Sequence, residues 1–143
     1  MDNQIQTGDN VMNKRSFMIG IALGMLVLVS LACAASTANF SSAKLTADST
    51  GAGETTTFSP DQTIYCIVQL ANAPSDTKVK AVWTAVNAEG AAPNTQLDST
   101  EITSADNTLT FKLSNDKAWP AGSYKVELYL NDKLTNTLQF TVQ

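Results

Sequence analysis

The sequence contains no histidine, and only two of its 143 residues are cysteine. Without an imidazole, Ser-His-Asp and Cys-His catalysis are excluded, together with every metal site that includes a histidine ligand. General acid–base chemistry also loses its most common side chain. These deficits favour a non-enzymatic protein that uses no cofactor and no bound metal.

Clustered positive charge is also missing beyond the first 15 residues, and the formal net charge of the chain is −4. Binding to a phosphate backbone depends on clustered Lys and Arg side chains. Nucleic acid is therefore not expected as a partner. Carboxylates are present, and the pairs Asp98 with Glu101 and Asp106 with Asp116 could supply oxygen ligands to Ca²⁺. Their spacing matches no calcium loop, so we expect solvated acids in turns and no metal site.

The chain has a single long apolar run, at residues 17–32, and Lys14 and Arg15 precede it. A positive segment, an apolar segment and following small residues form the pattern of a secretory signal. The run has 16 residues, whereas a membrane-spanning helix needs about 20, and no basic residue follows until Lys44. The pattern predicts a hydrophobic signal or anchor helix within a signal peptide at residues 1–32. Met12 is an alternative true start, because residues 1–11 carry no base.

Residues 29–33, Val-Ser-Leu-Ala-Cys, end the apolar run on a cysteine. This stretch resembles the lipobox of bacterial lipoproteins. The resemblance implies cleavage before Cys33, attachment of diacylglycerol to its thiol, and a short tether at residues 33–38. Membrane lipid is then the first partner, and the protein is extracytoplasmic and held at the cell membrane. Two alternatives are secretion after conventional cleavage near residues 34–36, and anchoring by an uncleaved N-terminal helix.

Behind the signal, short β-type segments alternate with turn residues at intervals of roughly ten, which is typical of an antiparallel sandwich or barrel. The 111 residues from Cys33 onwards are enough for one domain. We therefore predict an all-β fold, a single Ig-like sandwich of about seven strands over residues 39–143. The predicted strands are residues 39–48, 62–70, 78–86, 95–103, 109–113, 122–130 and 134–142. Residues 49–57 are predicted to be a flexible polar loop, and residues 95–103 an edge strand.

The faces of the strands suggest which side chains remain outside. Trp83 is predicted to point inward, because burying one large aromatic contributes more than burying two valines. Val82 and Val86 then point outward. If the third and sixth strands are neighbours, these valines form an exposed apolar strip with Tyr129. Tyr65 and Ile67 form a second strip on the other sheet. Such strips can mark a partner surface, although a cross-strand pair such as Tyr129 with Val82 also stabilises a sheet without any ligand.

Residues 119–126, Trp-Pro-Ala-Gly-Ser-Tyr-Lys-Val, resemble the start of strand F in immunoglobulin-like and fibronectin type III-like domains. The resemblance implies that the Tyr124 hydroxyl bonds to backbone a few residues upstream, and that Trp119 packs beneath this corner. Trp83 and Cys66 occupy places like those of the strand-C tryptophan and the strand-B cysteine. Val126 stands where the second cysteine would be, which favours a looser Ig-like class without the inter-sheet disulfide.

Cys66 lies in the most apolar predicted strand and is predicted to be a buried packing residue, as unpaired cysteines commonly are. A disulfide with Cys33 is the alternative, and it requires Cys33 to be free of lipid. The sequence as a whole predicts a lipid-anchored, non-catalytic interaction or structural module with a surface protein or a glycan as partner. The alternative is a carbohydrate-binding module that uses Trp119, Tyr129 or Tyr65 as platforms. Pairing of the edge strand with another chain is a third hypothesis.

Overall fold

The structure is a computed structural model that describes residues 37–143. Over this range the chain forms eight strands and no helix that could cross a membrane. The strands are β1 (Asn39–Thr46), β2 (Thr57–Phe58), β3 (Ile64–Ala71), β4 (Thr77–Ala88), β5 (Thr95–Ser104), β6 (Asn107–Leu113), β7 (Gly122–Leu130) and β8 (Lys133–Val142). The predicted signal peptide and Cys33 lie outside the described residues.

The strands form two sheets, with the order β1-β3-β6 in one and β2-β8-β7-β4-β5 in the other. All neighbouring strands are antiparallel except β2, which runs parallel to β8. The predicted all-β antiparallel sandwich is confirmed. β5 pairs only with β4, so the prediction that this segment forms an edge is also confirmed.

The core lies between the two sheets because apolar side chains alternate along the central strands. On β7, Tyr124, Val126 and Leu128 point inward and are almost completely buried. The core-facing residues of β3 are Ile64, Cys66, Val68 and Leu70. Burial of each such aliphatic or aromatic side chain stabilises the fold by about 1.5–3 kcal/mol relative to exposure. The apolar side chains that alternate along these two strands, as expected, therefore hold the two sheets together.

Four aromatic rings form the centre of the core. Phe140 of β8 stacks on Tyr124 with a centroid distance of 5.4 Å, and it meets Phe58 and Trp83 edge-on at 5.6 and 6.0 Å. These offset and T-shaped arrangements are the ones that aromatic quadrupoles favour. Trp83 points inward, as predicted.

Residues 49–56 connect β1 to β2 as a loop, as predicted, but this loop is tied to the sandwich and Thr57, the last residue of the predicted loop, belongs to a strand. The Thr55 amide donates to the Leu45 carbonyl at 3.0 Å, and Thr57 begins β2 beside β8. Phe58, which follows, is only 1% exposed. A two-residue strand is too short to show a period in the sequence, so this β-segment gave no local signal.

The same segment also changes the outer face of the three-stranded sheet. Gly51 lies against Ile67, close enough that a Cβ on Gly51 would meet the Ile67 Cγ1 at 3.4 Å. Ile67 is consequently only 9% exposed. The prediction that Ile67 contributes to an exposed strip is wrong, because the segment after β1 folds back over it.

The strand ends differ from the predictions by a few residues. β1 ends at Thr46 rather than residue 48, and β4 extends through Ala88 rather than ending at residue 86. Asn131 and Asp132 form the turn between β7 and β8, and both residues have positive φ, 48° and 65°. Paired positive φ angles are typical of the tight turns that match the twist of a hairpin.

Gly122 marks a close approach between the beginning of β7 and the end of β4. Its φ is +156°, and a Cβ at this position would collide with the carbonyl oxygen of Asn87 and the Cα of Ala88. β4 has a bulge between Ala85 and Asn87 that brings its backbone to this point. Both colliding atoms belong to backbone, so neither can move away as a flexible side chain would.

We expect the substitution Gly122→Ala to destabilise the domain by about 3 kcal/mol or more, because the added methyl group forces β7 away from β4. Gly90→Ala is the matched control. Gly90 has a φ of +72° with nothing within 4 Å of the added Cβ, so only the conformational cost of about 1–2 kcal/mol applies. Urea unfolding measures both variants, and equal losses would contradict the steric account.

Candidate interaction surface

A corner before β7 joins the two sheets. The Tyr124 hydroxyl donates to the carbonyl oxygen of Pro120 at 2.6 Å, four residues upstream, as the sequence resemblance implied. Trp119 meets the Tyr124 ring edge-on at 6.4 Å. Its backbone amide donates to the Pro60 carbonyl at 2.9 Å, and its indole Nε1 donates to the Gln62 carbonyl at 3.2 Å. The corner therefore ties the connection after β6 to the segment that leads into β3.

The same contacts determine what Trp119 can do. Its side chain is buried beneath the corner, with 8% of the residue exposed, and its only polar atom is already hydrogen-bonded. A sugar-stacking platform needs an aromatic face that is open to solvent. The hypothesis that Trp119 is such a platform is therefore wrong, and its role is structural.

Cys66 is fully buried, and its thiol is free. Burial disfavours the charged thiolate and raises the pKa of Cys66 to about 12. A cysteine nucleophile acts as the thiolate and is activated by an exposed, electropositive setting. Cys66 has the opposite environment and serves as packing material between the sheets.

Val82, Val86 and Tyr129 all lie on the outer face of the five-stranded sheet, and β4 and β7 are neighbours as predicted. The register differs from the expected one. Tyr129 is paired with Lys80, and the Lys80 Nζ lies 4.8 Å from the centre of the tyrosine ring. The expected Tyr129–Val82 cross-strand pair is therefore wrong.

Charged residues separate the apolar members of this face. Val82 lies between Ser99 of β5 and Glu127 of β7 in the register. Glu127 accepts a hydrogen bond from Lys125 at 2.9 Å, and both side chains of this ion pair are largely covered. The face is a mixture of half-buried apolar side chains and ion pairs rather than a continuous apolar strip.

Val86 has a separate environment because it is the extra residue of the bulge in β4. It lines a shallow groove of about 250 Å³ with Thr56, Ser123 and Gln139. Tyr65, on the outer face of the other sheet, is half-buried between Thr46 and Lys112 in the register. With Ile67 covered, Tyr65 is what remains of the second predicted strip.

Two exposed apolar residues in the described part of the chain were not predicted from the sequence: Leu97, 37% exposed, and Leu134, 47% exposed. Leu97 is the extra residue where β5 shifts register against β4. Leu134 lies an even number of residues from Leu138, so strict alternation would place it inward. An irregularity beside Thr135 instead pairs Leu134 with Tyr129 on the outer face.

The candidate calcium ligands do not converge. Residues 37–143 contain no group of three acidic or cysteine side chains placed to hold a metal ion. The carboxylate of Asp106 accepts a hydrogen bond from the Ala73 amide and so fixes a turn. Asp98 accepts a long hydrogen bond, 3.4 Å, from the Thr100 hydroxyl.

The two sheets, their strand order and the tyrosine corner define an immunoglobulin-like β-sandwich. The chain is similar to the crystal structure of an immunoglobulin-like protein from Pseudomonas aeruginosa, with a TM-score of 0.52 and 13% identity over 77% of this chain and 99% of that one. At this identity the likeness shows the fold alone. No protein-family model and no curated protein matches the sequence.

Two larger proteins contain a region of weaker likeness, each with a TM-score of 0.48. One is the alkylpurine DNA glycosylase AlkC of Pseudomonas fluorescens bound to DNA with an abasic site analogue, at 15% identity over 74% of this chain and 30% of that one. The other is a β-glucosidase of Listeria innocua in complex with glucose, at 14% identity over 74% of this chain and 16% of that one. The chain spans less than a third of either protein.

We expect Tyr124→Phe to lower the free energy of unfolding by about 1–2 kcal/mol, because it leaves the Pro120 carbonyl without its buried donor. Tyr129→Phe is the matched control, since it removes a hydroxyl from a surface tyrosine and keeps the ring beside Lys80. This control should change stability by no more than about 0.5 kcal/mol. Urea unfolding compares the two, and a near-zero loss for Tyr124→Phe would refute the role of the corner.

The buried thiol also predicts a dependence of stability on pH. In the unfolded chain Cys66 loses its proton near pH 9, whereas in the folded chain it keeps the proton until about pH 12. Between these values the folded state binds more protons, so its relative stability falls as pH rises, by roughly 1.4 kcal/mol per pH unit.

Cys66→Ala isolates this contribution. The variant should be less stable than the natural protein at pH 7, because a buried sulfur is removed. The difference should shrink as urea melts are repeated from pH 9 to 11, since all other titrating groups are common to both proteins. A constant difference across this range would contradict the assignment.

Proposed function

We propose that this chain is a lipid-anchored extracytoplasmic protein whose Ig-like sandwich acts as a non-catalytic interaction or structural module. The observation that carries the proposal is the position of the sandwich relative to the cysteine of the lipobox-like sequence. Thr37, four residues after Cys33, already donates a hydrogen bond from its hydroxyl to the Asn72 carbonyl at 3.1 Å. A folded module that begins directly behind an acylated cysteine is the arrangement of a protein displayed at a membrane surface.

The chemistry of the chain supports a module without catalysis. The sequence has no histidine, and burial keeps the Cys66 thiol protonated at neutral pH. The Ig-like class hosts many functions, so the fold itself assigns none. The proposal therefore rests on the anchor and on the available surface, and not on the fold alone.

For the partner, we favour a surface protein that binds the outer face of the five-stranded sheet. This face combines half-buried Val82 and Tyr129 with the Lys125–Glu127 ion pair. Such a mixture of apolar and polar area is typical of non-obligate protein interfaces. A glycan is less well supported, because Trp119 is buried and the Tyr129 ring is occupied by Lys80.

The test is the intact mass of the protein purified from the membranes of its own host. We expect the mass of a chain that begins at Cys33 and carries diacylglycerol. Cys33→Ala is the control, and it should lose both the lipid mass and cleavage before residue 33. A natural protein that is cleaved after residue 34 and carries no lipid would overturn the proposal. An uncut chain would indicate that the N-terminal helix, and not a lipid, anchors the protein.

A further inference from the structure

The chain enters the sandwich just before β1. We call this end of the sandwich the proximal end; it is formed by Ala38 and the turns at residues 72–76, 105–106 and 131–132. Thr37 is fixed there by its bond to Asn72, and the Asn39 side-chain amide donates to the Thr37 carbonyl at 3.3 Å. The backbone of Asn131 is tied to Lys78 of β4 at 2.9 Å. The arriving chain and the β7–β8 hairpin are thus fixed to one rigid end.

This end carries the more exposed of the two large apolar side chains noted above. Leu134 is 47% exposed and lines a shallow groove of about 510 Å³ with Ala38, Asn39 and Leu130. Lys133 precedes it in the same hairpin and also lines the groove. A leucine beside a lysine suits a water–lipid boundary, because a lysine stem can lie along apolar surface while its charge stays in water.

Chain length limits how far this end can be from an anchored cysteine. Three residues lie between Cys33 and Thr37, so four residue-to-residue steps connect them. At most about 3.3–3.6 Å per step, these four steps span no more than roughly 14 Å. The diacylglycerol places Cys33 at the membrane surface, so the proximal end cannot rise further than this from the bilayer.

We propose that the proximal end rests on the lipid surface of the anchoring membrane and that the Leu134 side chain inserts into the interface. The inference rests on the membrane anchor of the proposed function. The binding partner is the bilayer itself, and the tether brings it to the hairpin.

Charge does not drive this contact. The charged groups at or beside the proximal end are the acids Asp76, Asp106, Asp132 and Glu101 and the bases Lys78, Lys80 and Lys133. Lys78 lies 3.7 Å from Glu101, and Lys80 lies 3.9 Å from Asp132. The acids outnumber the bases, so an anionic membrane gains nothing overall. A single leucine binds lipid weakly, but a short tether supplies an effective concentration in the millimolar range or above. The contact therefore depends on the tether and is insensitive to the content of anionic lipid.

The experiment uses the protein purified from its host's membranes and placed in phospholipid vesicles, with a nitroxide label on Leu134→Cys. Glu89→Cys is the control, because Glu89 is exposed at the opposite end of the sandwich, just after β4. Cys66 does not take the label, since it is buried with a raised thiol pKa. We expect the label at 134 to be several-fold less accessible to a water-soluble nickel complex than the label at 89, and more accessible to oxygen. Equal accessibility at the two sites would overturn the inference.

A second variant tests the role of the tether. Twelve Gly and Ser residues inserted between Ser36 and Thr37 form a flexible coil that lowers the effective concentration. The shielding at position 134 should then decrease towards that of position 89. Unchanged shielding would overturn the claim that the tether imposes the contact.

Intact mass of the same preparations separates this inference from the proposed function. A lipidated chain whose label at 134 is fully accessible to nickel overturns the inference and leaves the anchor in place. A cleaved chain without lipid overturns both. An uncut chain with a shielded label would contradict the lipid anchor but support the inference, because the same short segment limits the distance to the membrane.

Discussion

The hydrogen bond from the Tyr124 hydroxyl to the Pro120 carbonyl fixes the corner through which the chain passes from one sheet to the other. It fixes the strand that carries Tyr124, and this ring stacks on Phe140 at the centre of the core. Burial raises the pKa of the Tyr124 hydroxyl, as expected for a phenol that stays neutral inside the fold. In immunoglobulin domains an inter-sheet disulfide contributes to the same connection. Residues 37–143 contain one cysteine, Cys66, and packing around the corner provides the connection.

At Trp83, the apolar area that the ring buries outweighs the cost of one missing hydrogen bond. The Nε1 of Trp83 is buried without a hydrogen-bond partner. An unpaired buried donor costs about 1–3 kcal/mol, whereas a buried tryptophan contributes one of the largest apolar areas available. Trp83 contacts Phe140 edge-on and so extends the aromatic centre toward the middle of β4. The preference for this ring at mid-strand is explained by the space it fills between the sheets.

Much of this arrangement could be predicted from the sequence, because inward and outward positions alternate locally. The inward placement of Trp83, the edge position of β5 and the tyrosine corner each depend on a few neighbouring residues. The errors come from features that need the partner strand. Register shifts in β4 and in the β7–β8 pair determine that Tyr129 meets Lys80 and that Leu134 turns outward. Ile67 is buried because the segment after β1 folds back over it. Phe58 is buried because it lies in β2, which pairs with the distant strand β8.

The irregularity at Leu97 has a consequence for self-association. β5 is a ten-residue edge with exposed side chains, and such an edge is a template on which another strand can add. The bulge interrupts its pairing geometry, and Asp98 shares the register of Trp83 and so the inner face of the sheet. A strand added at this edge would have to enclose that carboxylate in an apolar layer, at a high desolvation cost. The bulge and this carboxylate therefore disfavour edge-to-edge pairing of two copies through β5.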